Sequence, residues 1–293
     1  MHVLIAGCGY LGLRAARAWR EAGHQVTALS RHPDRHPEWS EWGIDIVHGD
    51  VLEPESLRAL PAADLCLYAV GYDRTASADK RTVYVDGVCH VLKEIRSRVR
   101  KLIFISSSSV YGQSAGEWVN EQSPCGPDSE SGRICVDAEH QVREIYPDCG
   151  TGSEQSAVIL RLTGIYGPGR LIARCDQLRQ GHTLSGRPDA WLNLIHVDDA
   201  VQAVQLLAAG LLADRPLCSS LYLLSDEAPL TREEFYGAIA RRIGAPPLVF
   251  DLQGDVSLNK RCDSRLIRKE LGLTLRFPRA TSALEQLLSP LMQ

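Results

Sequence analysis

Paired cysteine spacing is missing from this sequence. Its nine cysteines are scattered, no two stand closer than ten positions (Cys125 and Cys135), and no CxxC occurs. A zinc knuckle and a redox dithiol are thereby excluded, leaving buried free thiols in a reducing, cytoplasmic compartment as the expectation. His32 and His36 have the i, i+4 spacing of a helical metal pair, but Pro33 and Pro37 break any helix there, so no metal is expected. Charge of one sign is scarce too. With 32 Lys and Arg against 36 Asp and Glu, the net charge of -4 offers no electrostatic pull toward nucleic acid or an anionic membrane, and neither is expected as a partner. The longest apolar run, 200–213, is interrupted by Gln202 and Gln205 and is too short for a bilayer. The first residues are apolar without a basic leader or a long apolar core, and read as a strand rather than a signal peptide. Repeats and low-complexity segments are absent.

What is there is a glycine turn in a telling place. Val-Leu-Ile-Ala at 3–6 runs straight into Gly7-x-Gly9-x-x-Gly12, and an amphipathic stretch (Leu11, Ala15, Ala18, Trp19, Ala22) follows. Gly7 suits a tight turn, Gly9 a close approach of backbone to a pyrophosphate, and Gly12 the packing of helix on strand. The start of that helix offers backbone N–H groups and a positive dipole end to phosphates. Strands are expected at 2–6, 25–30, 44–47, 65–70, 102–105 and 157–160, with helices between. Val85, Val88, Leu92, Ile95 and Val99, for example, recur at helical period. Near-continuous apolar strands suit a parallel sheet covered on both faces. The expected fold is therefore α/β, a doubly wound parallel Rossmann sheet over 1–165 with a smaller C-terminal α/β substrate lobe over 166–293. In that lobe helices are expected at 199–212, 232–243 and 264–271, and short strands at 221–224 and 248–250. The helix near 196–212 is expected to return to the sheet.

Further landmarks follow in order: Gly49-Asp50-Val51, FISSSSVYG at 104–112, LRLTGIYGPG at 160–169, and His196-Val197-Asp198-Asp199. With the glycine turn this set resembles the extended short-chain dehydrogenase/reductases, the superfamily of NAD-dependent sugar epimerases and dehydratases, over almost the whole chain. The ending, Cys262 to Leu266 followed by Glu270-Leu271-Gly272, looks like the closing helix of that family. The resemblance implies that Gly7, Gly9, Tyr10, Leu11 and Gly12 hold the pyrophosphate. Asp50 and Val51 would border the adenine, with a turn or helix-capping role as the other reading of Asp50. Ala69, Val70 and Gly71 would line the wall beneath ribose and nicotinamide, with Leu162, Thr163, Gly164 and Ile165 near the nicotinamide edge. At the end of strand two, where a carboxylate would grip ribose hydroxyls, stand Ser30 and Arg31 with His32 and Arg35 behind. An arginine fork suits a 2′-phosphate, so NADP is expected ahead of NAD, the other reading being a solvated basic loop.

Two departures are similar to the atypical members of the superfamily. Ala6 stands where most extended members have the first glycine, and the Tyr-x-x-x-Lys pair of the family is missing. No lysine occurs between Lys101 and Lys260, and aligning Glu139 with the usual acid of that helix puts Ser131 and Cys135 at the Tyr and Lys positions. Ser107 then stands at the family's Ser/Thr position, to bond a substrate oxygen or merely to satisfy backbone at a strand end. Tyr111 is a further acid/base candidate if Arg133 turns into the cleft. Asp198 reads as an N-cap, His196 as scaffold, Arg161 and Arg170 as flanking the cleft mouth, and Glu121 as an unplaced acid. Arg170 is a candidate for an anionic substrate, against the reading of a plain surface arginine. The expectation is an NAD(P)(H)-dependent oxidoreductase or epimerase/dehydratase-like enzyme acting on a polar, nucleotide-sugar-type small molecule. The alternative is a non-catalytic NADP(H)-binding redox sensor. The family's habit of pairing through two helices, here 85–99 and 133–146, implies a homodimer.

Overall fold

The computed structural model describes residues 1–293 apart from 36, 74, 76, 150–152, 214–216, 253–258, 290–293 and the side chain of 35. Seven strands form one sheet: β1 (His2–Ala6), β2 (Gln25–Ser30), β3 (Asp45–His48), β4 (Ala63–Tyr68), β5 (Val99–Ser107), β6 (Ser156–Leu162) and β7 (Leu221–Leu224). Their order is β7-β6-β5-β4-β1-β2-β3, and every neighbouring pair is parallel. That is the doubly wound order, in which the crossover reverses beside β1 and a ligand crevice opens at the carboxyl ends. Register brings Ala6 opposite Leu29 and Tyr68, Tyr68 opposite Phe104, and Ser107 opposite Leu162, so the strand ends share one rim.

Both faces are covered, as the apolar strands require. Helix α1 (Tyr10–Glu21) and helix α4 (Val197–Leu212) close one face, where Trp19, Ala15, Ala200, Ala203 and Leu207 pack with Ile5 and Leu67. Helices α2 (Gly87–Ile95) and α3 (Glu130–Ile145) close the other, through Val88, Leu92, Ala138 and Val142 against Leu4, Cys66 and Phe104. Each fully buried valine, leucine or isoleucine among these contributes about 1.5–3 kcal/mol. A separate cluster, Tyr166, Cys175, Leu178, Phe235, Ile239 and Leu284, packs apart from the two that cover the sheet. Its helix Arg232–Ile243 opens on a Thr231/Glu234 capping box and ends at Gly244.

Several boundaries differ from expectation for identifiable reasons. Segment 221–224, expected in the lobe, is β7 of the main sheet, because Leu221 to Leu224 complete the ladder beside Ile159 to Leu162. Val99 opens β5 instead of closing a helix: its helical spacing from Ile95 is coincidental, and the chain turns at Arg98. Residues 54–59 form a 3-10 helix after Pro54. α4 begins at Val197, with the His196 ring nitrogen accepting the Asp198 N–H at 3.2 Å, so His196 and not Asp198 is the cap. Asp199 instead accepts the N–H groups of Arg276 (2.7 Å) and Phe277 (3.0 Å), tying the C-terminal segment to the sheet layer.

Candidate functional site

The glycine turn joins β1 to α1. Gly7 has φ +93°, and a Cβ there would lie 2.3 Å from Val70 N; one on Gly12 would lie 2.2 Å from the Gly7 carbonyl oxygen. Glycine is thus required at both by backbone contact, whereas nothing stands within 4 Å of a Cβ built on Gly9. Among the described residues no side chain caps the start of α1, so its first N–H groups face the groove with the positive end of the helix dipole. A cavity of about 380 Å³ runs from Gly7 and Gly9 past Ser30, Arg31, Asp50, Val51, Val70 and Gly71. A second, of about 250 Å³, continues from Gly9, Val70 and Gly71 to Tyr10, Leu11, Ala69, Ile165, Ser107 and Arg170. The shared residues make one groove along the strand ends. An uncapped helix start, a glycine cradle that any side chain would fill, and apolar walls on both sides fit a dinucleotide.

Most expected cofactor residues therefore meet. Asp50 lines the cavity, and its Oδ1 accepts the Leu52 N–H at 2.9 Å, a local turn contact. Arg31 also lines the cavity and is ion-paired with Asp73 at 3.5 Å. His36 and the Arg35 side chain lie outside the described residues. Leu162, Thr163 and Gly164 line neither cavity: Leu162 is packed in the core, Thr163 is buried, and Gly164 faces Leu194. Gly12 lies beneath the turn, against Gly7 and Ile5.

At the other end Ser107 lines the cavity, and its Oγ accepts the Ser109 N–H at 3.1 Å, which starts a short 3-10 turn. Tyr111 is not brought there. It is fully buried in a separate cluster with Val110, Val119, Leu223 and Cys262, and its hydroxyl accepts from Arg161 Nη1 at 2.9 Å. Burial pushes that phenol up to about 12 despite the arginine. Arg161, expected at the cleft mouth, lies buried within β6. Its Nε and Nη2 hold the two oxygens of Glu139 at 2.8 and 2.6 Å, and Ser106 Oγ donates to Glu139 as well at 2.6 Å. This bidentate pair ties β6, β5 and α3 together under the site.

The remaining candidates are placed elsewhere. Arg133 donates to the Asp128 carbonyl at 2.7 Å, away from Tyr111. Glu121 accepts the Leu223 N–H at 2.8 Å, with its pKa raised by burial. His196 is wedged between the Tyr166 and Phe277 rings, and burial lowers its pKa. Arg170 lines the cavity, its guanidinium 4.2 Å from the Tyr10 ring centroid, while the Tyr10 hydroxyl donates to the Pro168 carbonyl at 3.0 Å. Cys135 lines the cavity on α3; Ser131, one turn earlier, accepts a hydrogen bond from Lys80. Lys80, Tyr84 and Tyr68 were missed by sequence reasoning; the i, i+4 spacing of Lys80 and Tyr84 was the available signal.

Comparison with known proteins agrees with this geometry. The profile of the NAD dependent epimerase/dehydratase family matches residues 3–213. Protein YeeZ of Escherichia coli K12 is 30% identical over 286 residues, covering 94% of this chain and 96% of its own. A solved structure described as a candidate NAD-dependent epimerase/dehydratase from Methylobacillus flagellatus superposes with TM-score 0.79 at 28% identity, covering 100% and 99% of the two chains. UDP-glucuronic acid 4-epimerase from Bacillus cereus, solved with NAD, shares the fold with TM-score 0.79 at 16% identity over 100% of both chains. The chain belongs to the NAD-dependent epimerase/dehydratase family of Rossmann-fold proteins.

Proposed function

We propose that the protein is an NADP(H)-dependent oxidoreductase of epimerase/dehydratase type. Its substrate in this reading is a polar small molecule bearing a carbonyl or alcohol, of the nucleotide-sugar class. The observation that carries it is the continuous groove, with a glycine cradle at its centre, Ser30 and Arg31 at one end and Ser107 and Arg170 at the other. A nicotinamide dinucleotide held in this groove would supply hydride chemistry. Ser107 Oγ offers its own proton to a substrate oxygen while accepting from Ser109, and Arg170 faces an anionic part of the substrate. Arg31, its guanidinium shared with Asp73, offers N–H donors to a 2′-phosphate. Nucleotide sugars are the substrate class of the Bacillus cereus epimerase named above. The nine free thiols support a reducing, cytoplasmic setting. The outer faces of α2 and α3 are the surfaces through which a homodimer would form, checked by light scattering.

Titration with NADPH and NADH, read by nicotinamide fluorescence, tests the reading. NADPH is expected to bind the tighter, and Arg31→Asp to reverse the preference by about tenfold or more. Binding of neither nucleotide overturns it. A second reading, a non-catalytic redox-sensing protein, is favoured by the lack of tyrosine and lysine in α3, where the family resemblance puts Ser131 and Cys135 at the Tyr and Lys positions. It predicts NADPH binding with no turnover of any carbonyl.

A further inference from the structure

The cavity at the Ser107 end contains a phenol with an uncommitted proton. Tyr84 stands in a single π-turn, Thr82–Asp86, that runs into α2. Such turns are rare and are frequent at functional sites. The ring lines the cavity with Ser107, Cys135 and Arg170. The hydroxyl oxygen accepts the Tyr72 N–H at 3.1 Å, and among the described residues no acceptor takes the hydroxyl proton. A phenol can donate one hydrogen bond while accepting another, so this proton is available to an oxygen in the cavity.

A cation is held beside it. Lys80 Nζ lies 5.2 Å from the Tyr84 ring centroid and donates to Ser131 Oγ on the first turn of α3. Arg81 Nη1 holds Asp137 Oδ2 at 2.6 Å and fastens the same segment to the same helix. Independently, Tyr68 forms part of the cavity wall, fully buried, with a hydroxyl that meets no partner among the described residues. A buried hydroxyl in that state is costly until a ligand or water meets it.

We propose that Tyr84 is the acid–base residue of this cavity and that Lys80 is the positioning cation that steadies its charge. Resting on the oxidoreductase reading above, the pair is carried by the segment entering α2 and faces α3, the helix that lacks tyrosine and lysine at the family's positions. In the reducing direction the carbonyl carbon takes the hydride that the dinucleotide supplies. The Tyr84 O–H bond breaks, and its proton passes to the carbonyl oxygen to complete the alcohol. The phenolate left behind is held by the Tyr72 N–H and the Lys80 ammonium until water returns a proton. A phenol is protonated at neutral pH, as a donor must be, and burial raises the pKa of Tyr84 further. Tyr10 does not fill this role, because its proton is committed to the Pro168 carbonyl.

The test uses the full chain, NADPH, and diacetyl as the carbonyl probe. Tyr84→Phe is expected to leave NADPH affinity within about twofold and to lower diacetyl turnover by about a hundredfold or more. Lys80→Met is expected to move the alkaline limb of the pH profile upward by about one unit, with rescue by Lys80→Arg. NMR of ring-labelled tyrosine, assigned through Tyr84→Phe, is expected to show the Tyr84 titration rising in Lys80→Met without any turnover. Three results overturn the pair while NADPH still binds: no diacetyl reduction by the wild type, wild-type turnover in Tyr84→Phe, or an unmoved Tyr84 titration. Failure to bind either nucleotide instead overturns the oxidoreductase reading and takes the pair with it.

Discussion

The two ends of the groove are built by different means. At the glycine end the protein uses backbone: a positive-φ turn, close contacts of Gly7 with Ala69 and Val70, and the uncapped start of α1. At the Ser107 end it uses side chains from six separate stretches of chain, held by Glu139 and Arg161 beneath and by Lys80 and Arg81 at the side. Backbone geometry tolerates almost no substitution but needs only a few adjacent residues. A side-chain site can be rebuilt from different elements, provided its supports stay paired.

The largest effect that would break this contrast is expected at Arg161. Arg161→Met leaves the Glu139 carboxylate, 1% exposed, without its bidentate partner. A loss of about 3–5 kcal/mol in urea unfolding is expected, with NADPH affinity near wild type under folding conditions. The backbone end is expected to answer the other way. Gly7→Ala forces a Cβ against Ala69 and Val70 at a positive φ, and NADPH affinity is expected to fall about a hundredfold in fluorescence titration. A change of cofactor affinity in Arg161→Met equal to that of Gly7→Ala would erase the distinction.

Asp226 sharpens it by lying at neither end. Burial raises its carboxyl to about 7 from 3.8, against the opposing hydrogen bond from the Ala280 N–H. Because the folded form binds its proton more tightly than the unfolded chain, stability should fall as pH rises from about 3.8 to about 7 and stay low above that. Asp226→Asn is expected to flatten this slope in thermal melts and add roughly 1–2 kcal/mol at about pH 8, leaving NADPH binding unchanged. The smallest effect is expected for Arg81→Ala. Its pair with Asp137 is exposed, so less than about 1 kcal/mol should be lost in the same melts.

Legibility follows the same division. The turn at 7–12, the strands and the apolar face of α1 could be read because each depends on residues a few positions apart: Gly7 and Gly12 touch one another, and Leu11, Ala15 and Trp19 share one helix face. Ser107 was legible through the serine run's resemblance to the family's motif, and Arg31 as the residue that follows β2. Tyr111 was misread because its place after the serine run suggested the cleft, whereas the chain turns inward at Ser108–Val110 and buries the ring. β7 was misassigned because four apolar residues look alike in a lobe and in a sheet; only the open edge beside β6 distinguishes them.

From the chain alone came a dinucleotide turn, a parallel sheet and the certainty that no lysine lies between Lys101 and Lys260. Those properties are local or compositional, and folding cannot change them. The meeting of Arg161 with Glu139, 22 positions apart, and of Lys80 with Ser131, 51 apart, was settled by the strand order and by the packing of α3 over β5 and β6. Contacts at such separations have no signature in a window of sequence. They exist because burial fixes which elements lie side by side, and buried charges and hydroxyls then take the partners within reach.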